Sequence, residues 1–212
     1  MNILEAIIER KRVEVEERKA ATPVEVLRQS EWYARPRHSL KQFLLDKNRT
    51  GIIAEFKRRS PSKGSINELA DVVDVTTAYT TNGASALSVL TDEYFFGGST
   101  ADLLKARVNE IPILRKDFII DEYQIEEAKA MGADVILLIA ACLTPTEVQR
   151  LAASAKQLGL EVLLELHAEE ELEHICAETE IVGINNRDLK TFKVDIERSL
   201  RMAQQIPDDK IK

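Results

Sequence analysis

The stretch GADVILLIA at residues 132–140 is a tight turn followed by a run that is apolar from position 135 onward. A strand with one face in water alternates between apolar and polar residues, whereas a strand covered on both faces of a parallel sheet is continuously apolar. The runs IIAEF (52–56) and EVLLEL (161–166) are nearly as apolar on both faces. The sequence therefore predicts a parallel α/β sheet.

Short apolar runs of this kind alternate with amphipathic stretches from about residue 50 onward, which is the pattern of βα units. One helix start is well marked, because Thr144, Pro145 and Glu147 form a capping threonine, a first-turn proline and a capping-box glutamate. The predicted strands are 51–56, 84–90, 111–114, 134–139, 161–166 and 181–184, with a seventh beginning at 210–212. A barrel and a doubly wound sheet both fit this order.

The first fifty residues carry apolar side chains at helical spacing, beginning with Ile3, Leu4, Ile7 and Ile8. Such short helices cannot bury a core of their own. We expect this N-terminal extension to pack against the sheet and to cover one end of a barrel. The prediction is one domain over 1–212, with the extension at 1–50 and the strands at 51–212.

The 212 residues, of which 44% are hydrophobic and 31% charged, suffice for one sizeable core. The net charge of -7 disfavours nucleic acid and anionic membrane surfaces as partners. No apolar run approaches the ~20 residues of a membrane span, and the charged N-terminus does not resemble a signal peptide. We therefore expect a soluble, cytoplasmic protein with no nucleic-acid or membrane partner.

The cysteines and histidines do not form a metal-binding pattern. Cys142 and Cys176 lie far apart and are expected to be reduced core thiols, while His38, His167 and His174 are expected on the surface. Glycine-rich nucleotide motifs are also missing from the sequence. Neither a metal nor a nucleotide cofactor is therefore predicted.

Polar side chains stand where the predicted strands end, which is where parallel α/β proteins bind their ligands. They include Glu55, Lys57, Lys116, Glu165, Asn185 and Arg187. Glu55 and Lys57 are two residues apart, so both face the same way and could form an ion pair. Taken alone, Glu165 fits a structural ion pair as well as a catalytic role, and Lys116 fits a residue that solvates a strand end. Together, a lysine and a glutamate on neighbouring strands, with a Glu/Lys pair opposite, form an acid/base set.

Two loops near these strand ends carry further candidates. The basic segment RRSPSKG (58–64) fits a phosphate or carboxylate site as well as it fits a solvated loop. Gly97, Gly98 and Ser99 are explained more simply by a turn and a helix cap than by an anion site. Phe96 is a candidate for stacking on a planar ligand.

The strand ends, taken in order, resemble those of indole-3-glycerol-phosphate synthase. The matching segments are IAEFKRRSPS (53–62), LTDE (90–93) with FGGS (96–99), LRKDF (114–118), LLE (163–165) and GINNRDL (183–189). The resemblance implies a (β/α)8 TIM barrel with an N-terminal helical extension, acting without cofactor or metal. It also implies a phosphorylated small-molecule substrate, 1-(2-carboxyphenylamino)-1-deoxyribulose 5-phosphate. Ring closure, decarboxylation and dehydration would convert it to indole-3-glycerol phosphate.

The resemblance also implies roles for individual residues. Lys116 resembles the general acid at the ribulose carbonyl, and Glu165 the group that assists dehydration. Lys57, oriented by Glu55, would hold the substrate carboxylate or act as the acid in dehydration, so that the roles of the two lysines are interchangeable. Asn185 would hydrogen-bond the substrate or Glu165. The remaining assignments are Ser60 and Arg187 at the phosphate, and Phe96, Leu137 and Leu189 around the aromatic ring.

Members of that family continue beyond the point at which this chain stops. We therefore expect the chain to lack about the last two βα units of the barrel, which carry part of the phosphate site. A complete barrel is expected to be a monomer, whereas a barrel with two exposed edges is expected to associate with itself or to need a complementary fragment. Two alternative functions stay open: an inactive or ligand-binding truncated fragment, and a Schiff-base lysine aldolase on the same fold.

Overall fold

The computed structural model describes residues 2–61, 63–187 and 194–212. Its main sheet contains six parallel strands that lie side by side in the order in which they occur along the chain. The strands are β1 (Ile53–Phe56), β2 (Ala86–Leu90), β3 (Ile113–Lys116), β4 (Val135–Ile139), β5 (Glu161–Leu166) and β6 (Ile181–Ile184). A doubly wound sheet would reverse its order partway, so the consecutive order identifies the barrel type of winding.

The predicted strands are confirmed, with small shifts at their ends. Four of them begin one or two residues later than predicted, and β3 continues to Lys116. Lys116 is therefore the last residue of a strand rather than the first residue of a loop. Beyond β6, Ile211 forms a parallel bridge with Ile181, at the place where the seventh strand was predicted to begin.

Helices cover the sheet. They are α1 (Ile3–Ala21), α2 (Val24–Leu27), α3 (Leu40–Leu45), α4 (Val72–Thr81), α5 (Thr100–Ala106), α6 (Glu122–Ala130), α7 (Pro145–Gln157) and α8 (Ile196–Gln205), with 3-10 turns at Ala140–Cys142 and Glu169–His174. The predicted caps are present: Thr144 and Glu147 form the capping box of α7, and Ser99 caps α5. Among the described helices, none is both long and apolar enough to cross a bilayer.

Two apolar layers follow from the alternation of side chains along each strand. One layer lies between the sheet and the helices and includes Leu87, Ile113 and Leu164. The other lies inside the curved sheet, where Leu114 and Leu137 meet Leu40 of α3, which is completely buried. The first helices therefore share the core of the sheet, as the sequence predicted.

The N-terminal extension contacts both ends of the sheet. At the end where the strands begin, the Ser39 hydroxyl donates a 2.6 Å hydrogen bond to Glu161. At the end where they finish, Lys11 of α1 contacts Asp92 and Asp117. Along the side, the Tyr123 hydroxyl donates to the carbonyl of Arg18 at 3.0 Å. The extension thus covers one end, as predicted, and also reaches the other.

Candidate active site

A cavity of about 770 Å³ opens where the strands end. Most of the residues singled out from the sequence line it: Glu55, Lys57, Ser60, Phe96, Lys116, Leu137, Glu165, Asn185 and Arg187. They come from β1, β3, β4 and β5 and from the segments that follow β1, β2 and β6. Leu189 lies outside the described residues. The predicted convergence of these strand ends on one site is therefore present in the structure.

Glu55 and Lys57 form one of two ion pairs in the cavity. Lys57 Nζ lies 2.7 Å from Glu55 Oε1, and both side chains are about one-third exposed. The other carboxylate oxygen of Glu55 accepts a 3.4 Å hydrogen bond from the hydroxyl of Ser88 on β2. The ion pair expected from the two-residue spacing is therefore confirmed.

Lys116 and Glu165 form the second ion pair. Lys116 Nζ lies 3.1 Å from Glu165 Oε2, and Asn185 donates from Nδ2 to Glu165 Oε1 at 3.2 Å. The sequence prediction placed Lys116 and Glu165 on neighbouring strands, and this is wrong because β4 lies between β3 and β5. The pair forms because the sheet curves, which turns the inward-facing residues of β3 and β5 toward each other.

The electrostatic environment keeps Glu165 ionised. Burial by itself would raise the pKa of this carboxyl group, but the charge of Lys116 and the neighbouring His167 and Asn185 outweigh burial and lower the pKa to about 2. A carboxylate that is charged, largely buried and held by a lysine can accept a proton once that lysine turns elsewhere.

Aromatic and aliphatic side chains form the apolar part of the cavity. Phe96 and Phe118 have ring centroids 6.0 Å apart and tilted planes, and Leu137, which also lines the cavity, is almost fully buried. Ile3 and Ile7 of α1 also line the cavity. The sequence predicted that α1 would pack on the sheet, but not that it would form part of the site.

The basic loop after β1 divides between two roles. Arg58 pairs with Asp102 of α5 at 2.5 Å, and Arg59 donates to the carbonyl of Glu93 at 3.0 Å. Ser60 and Lys63 instead line the cavity. The two arginines are therefore structural, whereas Ser60 and Lys63 face the space in which a ligand would lie.

The expectation of surface histidines is wrong for His167 and His174, which are only 6% and 7% exposed. His174 lies within hydrogen-bond distance of two backbone carbonyls, those of Leu143 and Glu171. His167 lines the cavity, and its Nε2 lies 3.2 Å from Glu165 Oε1. The alternation of side chains along β5 could have predicted this position of His167. Positions 161, 163, 165 and 167 all face inward, so His167 lies on the same face as Glu165.

The sequence analysis also missed a buried cluster of charges beside the cavity. Lys11 is 1% exposed and lies 2.9 Å from Asp92 and 3.0 Å from Asp117. Arg115, completely buried, lies 3.2 Å from Asp117. Burial would raise the pKa of Asp117, but the charges of Arg115 and Lys11 lower it to about 2. The cluster joins α1 to the end of β3.

The family model and the relatives found by sequence agree on one family. The family model described as indole-3-glycerol phosphate synthase matches residues 4–212. The indole-3-glycerol phosphate synthase of Bacteroides thetaiotaomicron is 50% identical over 211 residues, covering 99% of this chain and 81% of that protein. The enzyme of the same name from Burkholderia multivorans is 46% identical over 215 residues, covering 99% and 82%.

A solved structure shares the fold. It is a chain from a study of the tryptophan synthase a2b2 complex of Pyrococcus furiosus, with a TM-score of 0.51 and 16% sequence identity over 76% of each chain. At this identity the likeness concerns the fold alone, and it agrees with the barrel type of winding described above.

Proposed function

Because the chain belongs to the indole-3-glycerol-phosphate synthase family, we propose here how its own residues perform the family's reaction. The enzyme is a carboxy-lyase of tryptophan biosynthesis. It converts 1-(2-carboxyphenylamino)-1-deoxyribulose 5-phosphate to indole-3-glycerol phosphate by ring closure, loss of carbon dioxide and loss of water. The observation that carries the residue assignment is the pair of lysine–carboxylate contacts that face one cavity, at 2.7 Å and 3.1 Å.

Lys116 is the proposed acid of the first step. As the ring carbon that bears the carboxylate attacks the ketone carbon, the ketone oxygen gains negative charge and takes a proton from the ammonium group. The contact of Lys116 with Glu165 supports this assignment, because it fixes an otherwise flexible side chain at the cavity wall. Departure of carbon dioxide then restores the aromatic ring.

Lys57 is proposed to hold the substrate carboxylate, with Glu55 orienting its ammonium group at 2.7 Å. A carboxylate held out of the plane of the ring is aligned for decarboxylation. Once carbon dioxide has left, the same ammonium group is free to protonate the departing hydroxyl group. The two lysines could exchange these duties, since both reach the same cavity.

Glu165 is the proposed base of the dehydration. It removes a proton from the methylene carbon bonded to nitrogen, while the hydroxyl group leaves from the neighbouring carbon as water. The hydrogen bond from Asn185 to Oε1 supports this role by holding one oxygen of the carboxylate at the cavity. Its place on β5, separated from the Glu55–Lys57 pair at the end of β1 by β2, β3 and β4, assigns base and acid to different strands.

The ends of the substrate are assigned to the remaining residues. Ser60 and Arg187, which both line the cavity, are proposed to bind the phosphate. Phe96 and Leu137, which line the cavity, are proposed to enclose the aromatic ring. The same role is proposed for Leu189. Residues 1–212 are proposed to act as one barrel domain, in the cytoplasm, with the complete barrel a monomer.

The test is turnover by the purified chain. The substrate is added and indole fluorescence is followed together with carbon dioxide, with one carbon dioxide expected for each indole product. Borohydride reduction with a ketose phosphate, followed by intact mass, distinguishes the aldolase reaction, which would leave a covalent adduct on a lysine. An adduct without decarboxylation would contradict the proposal.

A further inference from the structure

His167 is a buried side chain whose surroundings leave its hydrogen bonding incomplete. Among the residues that the structure describes, none forms a hydrogen bond with either ring nitrogen. Nε2 lies 3.2 Å from Glu165 Oε1 and Nδ1 lies 3.9 Å from Glu171 Oε2. The first distance suits a hydrogen bond, but the ring is turned from the direction that would align one. A buried, unsatisfied ring beside a cavity calls for an explanation.

The two oxygens of Glu165 have different neighbours. Oε2 faces Lys116 at 3.1 Å, whereas Oε1 accepts from Asn185 at 3.2 Å and lies at the same distance from His167 Nε2. When Lys116 turns to the ketone oxygen of the substrate, Oε2 loses its partner. The carboxylate is then held at Oε1, while Oε2 is open to take a proton.

We propose that His167 is a positioning residue for Glu165, whose Nε2–H group holds Oε1 once Lys116 has turned to the substrate. This inference rests on the proposed function. A single amide donor at Oε1 leaves the carboxylate free to swing about that bond. Two donors on the same oxygen fix its plane, and therefore fix where Oε2 points.

The backbone around His167 is fixed in a way that suits this role. Glu171 Oε2 accepts a 2.6 Å hydrogen bond from the backbone nitrogen of His167, one turn before the ring of His174. His174 in turn lies within hydrogen-bond distance of the backbone carbonyls of Leu143 and Glu171. The backbone is thus held, so that a rotation of the His167 ring alone would align Nε2 with Glu165.

The kinetic test compares His167→Leu and His167→Gln in the full chain. Leucine removes the donor, and we expect kcat to fall about tenfold or more with KM changed less than about twofold. Glutamine places an amide donor near the position of Nε2 and should restore most of kcat. His38→Gln is the matched control, because it alters a histidine that lies outside the cavity, 3.3 Å from Glu110, and should have little effect on kcat.

A second measurement does not depend on turnover. The Lys116→Met variant lacks the contact at Glu165 Oε2, as the enzyme does once Lys116 has turned to the substrate. In this variant, 15N NMR shows which ring nitrogen of His167 carries a proton. We expect a proton on Nε2 that exchanges slowly with solvent. In the double variant Lys116→Met/Glu165→Gln, this slowly exchanging proton should be lost.

Two results would overturn the inference. One is a kcat for His167→Leu within about twofold of that of an active parent chain. The other is a His167 ring that is protonated on Nδ1 alone in both Lys116→Met and Lys116→Met/Glu165→Gln. If the parent chain itself fails to turn over the substrate, the proposed function fails, and the NMR result alone decides the role of His167.

Discussion

Lys11 Nζ and Asp117 Oδ1 lie 3.0 Å apart, and both side chains are closed off from solvent. The contact joins the first helix to the residue that directly follows Lys116. Asp92, which lies 2.9 Å from Lys11, also accepts backbone hydrogen bonds from Phe95 and Phe96. One buried ammonium group therefore ties α1 to two segments that carry site residues.

Replacing that ammonium group should be costly. Lys11→Met leaves Asp92, Asp117 and Glu14 buried without their shared cation, and we expect the free energy of unfolding to fall by about 3–5 kcal/mol. Urea denaturation measures this loss. Lys19→Met is the control, since Lys19 pairs with Asp121 while about one-third exposed and should cost less than about 1 kcal/mol. Equal losses in the two variants would contradict the importance given to the buried cluster.

Removal of the proposed acid should act on turnover. Lys116→Ala is expected to lower kcat by about 10²–10⁴-fold, with KM changed only a few-fold, because the ammonium group acts mainly in the transition state. Steady-state kinetics with indole fluorescence measures both constants. Lys105→Ala, at an exposed position of α5, should behave as the parent chain. An unchanged kcat with a large increase in KM would assign Lys116 to binding instead.

The proposed contact between Lys57 and the substrate carboxylate can be tested with inhibitors. Lys57→Met is expected to weaken binding of inhibitors that carry this carboxylate about tenfold or more, and to leave inhibitors without it unaffected. Inhibition constants for a matched pair of inhibitors measure the difference. Glu55→Gln, which keeps Lys57 but removes its partner at 2.7 Å, should show a smaller effect of the same sign. Equal weakening of both inhibitors would argue against a carboxylate contact.

Gly98 is required by a close approach of the backbone. A Cβ atom at this position would lie 2.2 Å from the carbonyl oxygen of Leu90, so Gly98→Ala must displace the loop after β2. We expect a loss of about 1–3 kcal/mol in unfolding free energy, measured by thermal or urea denaturation. Gly159, whose φ is +76° with open space around it, offers a contrast. Asparagine should leave the free energy of unfolding nearly unchanged at position 159 but should lower it at position 98. No loss at either position would show that the loop after β2 can move to accommodate a side chain.

Stability should decrease in acid through two carboxylates. Arg115 and Lys11 lower the pKa of Asp117 to about 2, and Lys116 lowers that of Glu165 to about 2, against the burial of each group. A carboxyl group with a depressed pKa in the folded state stabilises it above the unfolded pKa and loses that effect as the pH falls through the folded pKa. The free energy of unfolding should therefore fall between about pH 4.5 and pH 2.

The same titration of Lys116→Met separates the two groups. Without the ammonium group the pKa of Glu165 moves back up, so the decrease should become shallower while the contribution of Asp117 stays. A curve identical to that of the parent chain would show that Lys116 does not govern the charge of Glu165.

The sequence was sufficient to predict the sheet, the strand ends and most of the cavity lining. Continuous apolar runs identify strands buried on both faces, and the chemistry that follows each run lies at one edge of a parallel sheet. Glu55 and Lys57 could be paired from their spacing alone. Lys116 and Glu165 could be placed at the same edge but not in contact, since their contact depends on the curvature of the sheet across β4.

The burial of some polar residues could not be predicted, because the usual sequence patterns treat such residues as exposed. Lys11 and Glu14 lie on the buried face of α1, and a pattern that counts charged residues as exposed assigns them to the wrong side. His167 was judged by its type and by the lack of a metal motif, rather than by its inward-facing register. In both cases the missing information was the partner across the fold, which one chain segment does not encode.

The contacts of the N-terminal extension bear on the order of events during synthesis. Arg35 bonds to Asp134, Ser39 to Glu161 and Lys41 to Glu180, across separations of 99, 122 and 139 residues. Translation releases residues 35–41 long before these acidic partners exist, so this segment of the extension cannot complete its contacts while the first strands assemble. This segment, which precedes β1, is thus among the last to reach its final place, and it stays accessible to chaperones and proteases until its partner Glu180, just before β6, has emerged.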